Sequence, residues 1–591
     1  MHVLIGCAIR FRSLPFCLIA MAALLLAGVR ADETPLRPKQ ANGPLPLAEV
    51  DADPKIPTLA QTVGHSWGGE ISSHAELERY GRALAEAAPD RCQRIKYGKT
   101  YQNKDLFYLV ISSAANLKRI DAIRERNLAL ADPRVTSPLQ AAKIATDEPA
   151  IVWLANCVHG NEASPSDAAV LTAYHLLADR RPQTRAWLDK LVVIIDPLQN
   201  PDGRDRFVHF HRETRGGFDQ EHPLAADRLE RWPTGRFNHY LFDMNRDWYL
   251  QSQQESAARV AAFLHWKPQI FVDAHEMGPE SNFYFDPATD PYNGHTLARQ
   301  KDWHVKIGKH HAAAFDRQGI SYTNREMFDS FGPQYGSTWP ILHGSIGILW
   351  EQAGARGRVV SREDKTKLFY RDGVRHHYIS GLATLDAASQ NREALLLDFY
   401  RSAADSVKLG DTGSIRAFVL LEGKRPARAA ALAQMLIRNG IEVRRTLGEW
   451  KGNGIDTVGD VAGAHVAPAG SYLISLNQPA ARMALTLLER HQDMGAEFIK
   501  RQEERVKRGL PDEIYDSTSW SLPLAFGVPC LALEKAPSNA SEPIATASPL
   551  GKVIGERAKL AYMVDGQDDA MLAALCRWHA QGLRVAVFSE V

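Results

Sequence analysis

The chain holds little cysteine for its length, with 6 in 591 residues. Beyond the N-terminal stretch only Cys92, Cys157, Cys530 and Cys576 are left, widely scattered, and such spacing excludes a disulfide framework. An excess of either charge is also missing: 70 Lys and Arg face 69 Asp and Glu, for a formal net charge of +1. No basic surplus points to nucleic acid, and no acidic surplus points to a disordered tail. After Gly28 no apolar run is long enough to cross a bilayer. No repeat of fixed period is apparent. What is present, at 45% hydrophobic and 8% aromatic, is the composition of a soluble globular protein. A length of 591 residues exceeds one ordinary core and, at ~100–200 residues per domain, suggests several units.

The first stretch stands apart. Arg10 and Arg12 precede an apolar run from Leu14 to Gly28, and Val29-Arg30-Ala31 then offers small residues at the positions a signal peptidase reads. Residues 1–31 are expected to be a secretory signal cut before Asp32, which makes the protein exported, periplasmic or secreted, with no stable membrane span after cleavage. The run is short for an anchor, which needs ~20 residues. Cys17 lies inside the run rather than after it, against lipidation. Residues 32–64 are rich in proline and read as an extended segment, with order beginning near His65.

From there strands and helices alternate. Strands are expected at Ala150 to Cys157, Leu191 to Asp196, Gln269 to Asp273 and Ile346 to Trp350, with helices at Ala75 to Ala88, Ser164 to Leu177, Ser252 to Phe263 and Asp302 to Gln318. Arg94 to Tyr101 and Leu106 to Ser112 read as two strands around a polar turn. The expected fold class is α/β, with a mixed, mostly parallel sheet flanked by helices over residues 65–408. A helix-rich stretch closes that unit, and composition resets at Gly410-Asp-Thr-Gly-Ser. A second, smaller α/β domain is expected over residues 409–591. It begins with a βαβ unit (Ile415 to Leu421, Ala427 to Asn439, Ile441 to Arg444) and has further strands at Gly470 to Ser475, Leu560 to Val564 and Arg584 to Phe588. Ending just after an apolar strand, this unit is expected to be incomplete.

The chemistry gathers at strand ends, where parallel sheets form their ligand crevice. His159-Gly-Asn-Glu162 follows one strand, His275 closes Phe271-Val-Asp-Ala-His275, and Glu351 follows Ile346-Gly-Ile-Leu-Trp350. Two imidazoles and one carboxylate are the ligand set of an open zinc site, and a further carboxylate supplies the base that an attacking water requires. Gly160 and Asn161 suit the tight turn between His159 and Glu162, and Pro165 suits the first turn of the next helix. Glu276 is an alternative ligand to Glu162, although neighbours on an extended chain point opposite ways. Cys157 reads as a buried core thiol rather than a fourth ligand. Arg204, Arg206, Arg212, Arg215 and Arg246 lie between the ligand motifs, as candidates for clamping an oxyanion or a carboxylate.

Asn200-Pro-Asp-Gly203, Arg212-Glu-Thr-Arg215 and Asp243-Met-Asn-Arg-Asp-Trp248 fall in order between His159-Gly-Asn-Glu162 and Asp273-Ala-His275. Over roughly His65 to Ala387 this arrangement resembles the zinc metallocarboxypeptidases of the carboxypeptidase A type. The resemblance implies a carboxypeptidase-like α/β sheet, one Zn2+ per chain, and hydrolysis of a peptide bond in a substrate with a free C-terminus. It places the zinc ligands on His159, Glu162 and His275, and the general base on Glu351. The oxyanion arginine falls on Arg212, with Arg215 as the other register, and the carboxylate grip falls on Asn245 and Arg246. The mobile tyrosine over substrate falls on Tyr335, in the lid-like segment Gly332-Pro-Gln-Tyr-Gly-Ser-Thr-Trp-Pro. One departure is Asp247, where the family has asparagine; an acid beside the clamp weakens its positive potential unless it points away. The second α/β domain resembles the glutamine-amidotransferase-like modules that follow such peptidases, but it lacks a Gly-x-Cys-x-Gly turn and so reads as accessory. Two other readings stand beside this one: a zinc deacylase or amidohydrolase of acylated amino acids, and an exported peptide-binding protein without activity.

Overall fold

The computed structural model describes residues 50–516, 520–538, 540–549 and 553–587. The expected signal at 1–31 and most of the expected 32–64 segment therefore lie outside the described residues. Residues 50–64 are more than a tether. They carry the short helix Leu59–Val63, bury Ile56 and Leu59 in the core, and bridge Ala52 to Asp179.

The larger sheet has eight strands: β1 (Cys92–Lys99), β2 (Asp105–Ile111), β3 (Ala150–Asn156), β4 (Leu191–Asp196), β5 (Ile270–Met277), β6 (Phe283–Phe285), β7 (Tyr322–Thr323) and β8 (Ile346–Ala353). Their order is β1-β2-β4-β3-β5-β8-β6-β7. The centre, β4-β3-β5-β8, is parallel throughout, and antiparallel pairs flank it at β1-β2, β2-β4 and β8-β6. Helices cover both faces: α1 (His74–Ala87), α2 (Ser164–Ala178), α3 (Pro201–Thr214), α4 (Gln254–Trp266), α5 (Ala298–Asp316), α6 (Tyr370–Gln390) and α7 (Arg392–Thr412).

Local sequence explains these elements. Ser73 and Glu76 cap the start of α1 reciprocally, and Leu77, Tyr80 and Leu84 then bury one helix face. The strand Ala150-Ile-Val-Trp-Leu-Ala-Asn156 is buried along its whole length because helices close both sides of a parallel sheet. Its residues alternate between two cores. Val152 and Leu154 join α2, α6 and α7 on one face, whereas Ile151, Trp153 and Ala155 join Phe263, Trp266 and Trp339 on the other. Burying a side chain such as Leu154 contributes roughly 1.5–3 kcal/mol.

The second of these cores does not stop at the sheet. It continues through Leu432, Leu436, Phe418, Tyr472, Ile474 and Leu485 into a second, seven-stranded sheet. Those strands are β9 (Ala417–Leu420), β10 (Arg444–Thr446), β11 (Trp450–Asp456), β12 (Val461–Ala467), β13 (Tyr472–Ser475), β14 (Cys530–Leu533) and β15 (Ser541–Pro543), in the order β12-β11-β14-β9-β13-β10-β15. Helices α8 (Pro426–Arg438), α9 (Ala481–Leu488) and α10 (Ala496–Lys507) accompany them. Every neighbouring pair is antiparallel, and β13 lies between β9 and β10, so the two strands read from sequence as one βαβ unit are not neighbours. Residues 560–564 and 584–587 form no strand, whereas a helix lies between them at Ala570–Ala580. The reset expected at Gly410 falls within the last turn of α7. Hydrogen bonds from Trp339 Nε1 to Asn439 Oδ1 at 2.8 Å, and from Asn439 Nδ2 to the Tyr249 carbonyl at 2.7 Å, tie the two sheets together across the shared core. Among the described residues no helix is long and apolar enough to cross a membrane.

Candidate active site

The parallel centre of the larger sheet carries the candidate residues toward one rim. After β3, Cys157 turns the chain at a φ of 58°. Its thiol donates to the His159 carbonyl at 3.1 Å, and burial pushes it up to about 11, so Cys157 faces backbone and not the imidazoles. The loop then crosses α3 backbone to backbone. A Cβ on Gly160 would lie 2.1 Å from the Arg204 amide nitrogen, so glycine is required there. The loop ends as Glu162 leads into α2.

The Glu162 carboxylate sits between two imidazoles. Its Oε1 is 2.8 Å from His159 Nδ1, and its Oε2 is 2.8 Å from His275 Nδ1. All three ligand atoms fall within 4.8 Å of one another, and the three residues are buried. The far side of each ring is held by an acid. Asp243 Oδ1 lies 2.9 Å from His159 Nε2, and Asp273 Oδ2 lies 2.9 Å from His275 Nε2. Asp273 reaches that position because residues two apart on a strand share a face. Carboxylates behind both rings turn both Nδ1 atoms toward Glu162, as outer partners of metal-ligating histidines do. Two imidazoles and one carboxylate, open on the cavity side, match the donor set of a catalytic rather than a structural zinc site.

Glu276 does not compete for this position. Its Oε1 accepts from the Ser164 amide at 2.8 Å and from the Ser164 hydroxyl, at the start of α2, while its own N–H donates to Glu162 Oε2 at 3.1 Å. It thereby fixes Glu162 through the backbone. Glu351 lies within β8 and pairs in parallel register with His275. Burial pushes the Glu351 carboxyl up to about 8, against the pull of His275 and Arg236.

A cavity of about 250 Å³ opens in front of these groups, lined by His159, Glu162, His275 and Glu351 on one side and by Asn245, Arg246, Tyr335 and Tyr515 on another. Asn245 and Arg246 lie on the short turn Met244–Arg246, capped by Asp243, whose Oδ1 accepts from the Asn245 amide at 2.9 Å. Asn245 Oδ1 accepts from Trp248 Nε1 at 3.1 Å and from the Gly336 amide at 2.9 Å, which leaves its Nδ2 facing His275. The Arg246 guanidinium lies 4.7 Å over the Tyr335 ring. Asp247 points away: its carboxylate accepts from the amides of Ser252 and Gln253 at 2.9 and 3.0 Å.

Arg212 requires a correction. The expected oxyanion arginine is not at the cavity; it donates to Glu76 Oε2 at 2.8 Å and to the Ile71 carbonyl at 3.1 Å, tying α3 to α1. Arg215 is likewise drawn off, to Glu70 at 2.6 Å. Arg212 sits in the last turn of α3 and Arg215 just after it, and neither lines the cavity. Besides Arg246, the cavity is lined by Arg236, on a loop that carries no motif. Its Nη1 is 3.3 Å from Glu162 Oε1, and its Nε donates to Asp243 Oδ2 at 3.0 Å. Arg206 pins that loop by donating to the carbonyls of Thr234 and Phe237 at 2.8 and 3.3 Å. Asp243 was legible as part of a motif, two residues before Asn245, but not as a partner of His159. Against the cost of burial, His159 and Arg236 hold its carboxyl far below the usual carboxylate range.

Comparison with known proteins gives the following. A carboxypeptidase A from Helicoverpa armigera shares 16% identity, covering 59% of this chain and 77% of its own, at a TM-score of 0.36. A metallo-carboxypeptidase from Burkholderia cenocepacia shares 13%, covering 52% and 67%, at a TM-score of 0.35. One from Pseudomonas aeruginosa, in complex with (2-guanidinoethylmercapto)succinic acid, shares 14%, covering 54% and 69%, at a TM-score of 0.35. No curated protein matches the sequence. Residues 77–339 match the family model of the zinc carboxypeptidases, the same family that the ordered motifs resemble.

Proposed function

We propose that this chain is a zinc-dependent peptidase that removes residues from the C-terminal end of peptides. One observation carries the reading. The Nδ1 atoms of His159 and His275 meet the Glu162 carboxylate at 2.8 Å each, with Glu351 in register beside His275. A zinc ion held by His159, Glu162 and His275, one per chain, would supply Lewis acidity for the scissile carbonyl and acidify a water. Glu351 takes the proton of the attacking water and returns it to the leaving amine. Burial raises the proton affinity of the Glu351 carboxyl, which suits a group that must take a proton and hand it on. The Arg236 fork faces the same cavity and meets the negative charge that develops on the carbonyl oxygen. Asn245 and Arg246 grip the terminal carboxylate, and Tyr335 walls the subsite beneath Arg246.

The same proposal includes an exported protein, with residues 1–31 as its signal and residues 409–591 as an accessory unit. Cys530 supports the accessory role: it is buried in β14, and burial pushes its thiol up to about 12, against a nucleophile there.

Mass spectrometry of a random peptide pool incubated with the zinc-loaded protein tests the activity. Stepwise loss from C-termini is expected, and Glu351→Gln is expected to keep its zinc while kcat falls ~10²–10⁴-fold. Cleavage confined to internal or N-terminal bonds, or full activity in Glu351→Gln, contradicts the reading.

A further inference from the structure

The cavity is not walled by the first 412 residues alone. The segment after α10 returns to it, and Tyr515 forms part of its lining, with its ring 5.5 Å from Phe328 and 6.2 Å from Tyr335. The next residue, Asp516, reaches the positive group that faces the cavity opposite Glu351. Its Oδ2 accepts from Arg246 Nε at 3.0 Å. Arg246 also lies over the Tyr335 face and donates from Nη1 to the Asn245 carbonyl at 3.1 Å. A side-chain carboxylate of the chain itself therefore occupies the group that the proposed function assigns to a substrate's terminal carboxylate.

The pair is built to be exchanged. The Arg246 and Asp516 side chains are 32% and 25% exposed, so water reaches and screens both. Asp516 also faces a second acid. The Asp329 carboxyl in the cavity wall is pushed up to about 6 by burial and by the Asp516 charge. Arg246 attracts Asp516 while Asp329 repels it. An incoming carboxylate that replaces Asp516 on Arg246 restores the same ion pair. A terminal amide offers Arg246 no such charge and leaves Asp516 in place.

We propose that Asp516, supplied by the second unit, is an internal competitor for Arg246, which a ligand must displace with a carboxylate of its own. The proposal rests on the carboxypeptidase reading of the site. It makes the second unit part of substrate selection, although it contributes none of the proposed zinc ligands and no proton-transfer group. The substrate class is narrowed to peptides ending in a free carboxylate, at an affinity that Asp516 lowers.

The test uses the full-length zinc-loaded protein with two probes, an N-acylated dipeptide acid and its C-terminal amide. KM and kcat are compared for the wild type, Asp516→Asn and Asp516→Ala. Binding of both probes by calorimetry is compared in the Glu351→Gln background, with and without Asp516→Asn. Removal of the Asp516 charge is expected to lower KM and Kd for the acid by about three- to fivefold, the scale of a partly screened ion pair, and to leave the amide unchanged. Unchanged or weaker binding of the acid in both substitutions overturns the proposal and makes Asp516 a docking residue. Equal improvement for acid and amide also overturns it, because it reports only a wider cleft. Absence of acid binding to Asp516→Asn does the same. If neither probe is hydrolysed by any form, the proposed activity fails, while the two dissociation constants still decide the role of Asp516.

Discussion

The two sheets of this chain hold buried charge to different extents. The parallel centre of the first gathers His159, Glu162, Asp273, His275 and Glu351 at one rim, all buried. The second sheet fills its inward positions with Phe418, Leu420, Tyr472, Ile474 and Ala532, holds its buried Cys530 as a neutral thiol, and pairs its buried Arg445 with Glu422 at 2.5 Å. Burying ionisable groups is costly unless partners or a cation compensate them, so their concentration in one sheet marks where the chain spends stability on chemistry. The second unit instead contributes a continuous apolar core and, through Tyr515, part of the cavity wall.

The largest effect that would sharpen this contrast is loss of the ligand set. His275→Ala leaves the Glu162 carboxylate with one imidazole, and zinc content by plasma emission is expected to fall from one ion per chain toward none, with activity lost. Arg246→Ala tests the clamp. Loss of a charged hydrogen bond to the terminal carboxylate is expected to raise KM for a peptide acid about 10–100-fold and to leave zinc content unchanged. A normal KM in that variant would remove the clamp from the account.

A third prediction concerns the cost of burial itself. Asp196, at the end of β4, has its carboxyl pushed up to about 7 by burial, although the Tyr97 hydroxyl donates to it at 2.8 Å. The folded value lies above the unfolded value of ~3.9, so the folded state binds the extra proton and this contribution to stability is lost as pH rises through about 7. Asp196→Asn is expected to flatten the pH dependence of denaturant midpoints between roughly pH 4 and 7, removing a slope of at most ~1.4 kcal/mol per pH unit. The smallest effect belongs to the second sheet: Cys530→Ala is expected to cost about 1 kcal/mol of stability and to leave kcat/KM within about twofold. A large catalytic loss there would break the division between the sheets.

Much of the first unit was readable from its residues. Strands β3 and β4 stand out because parallel strands buried on both faces are continuous apolar runs, and Leu191–Asp196 coincides with its expected bounds. The grouping of His159, Glu162 and His275 was readable because His159 and Glu162 share one turn and His275 ends an apolar run. Arg236 was not, because its loop is held by tertiary hydrogen bonds from Arg206 and has no periodicity of its own. Arg212 misled because a motif gives chain order but not distance along a helix. Strands β11 and β12 were missed because Trp-Lys-Gly-Asn-Gly-Ile-Asp and Val-Ala-Gly-Ala-His-Val-Ala carry glycine and lack polar alternation. Asp516 had no signal at all, since its partner Arg246 lies 270 positions away in the chain.

The most direct test is anomalous diffraction at the zinc edge from crystals of the zinc-loaded protein. The account predicts one peak per chain, about 2.0–2.2 Å from His159 Nδ1, His275 Nδ1 and a Glu162 oxygen. A peak elsewhere, or none at these three residues in fully loaded crystals, would contradict it.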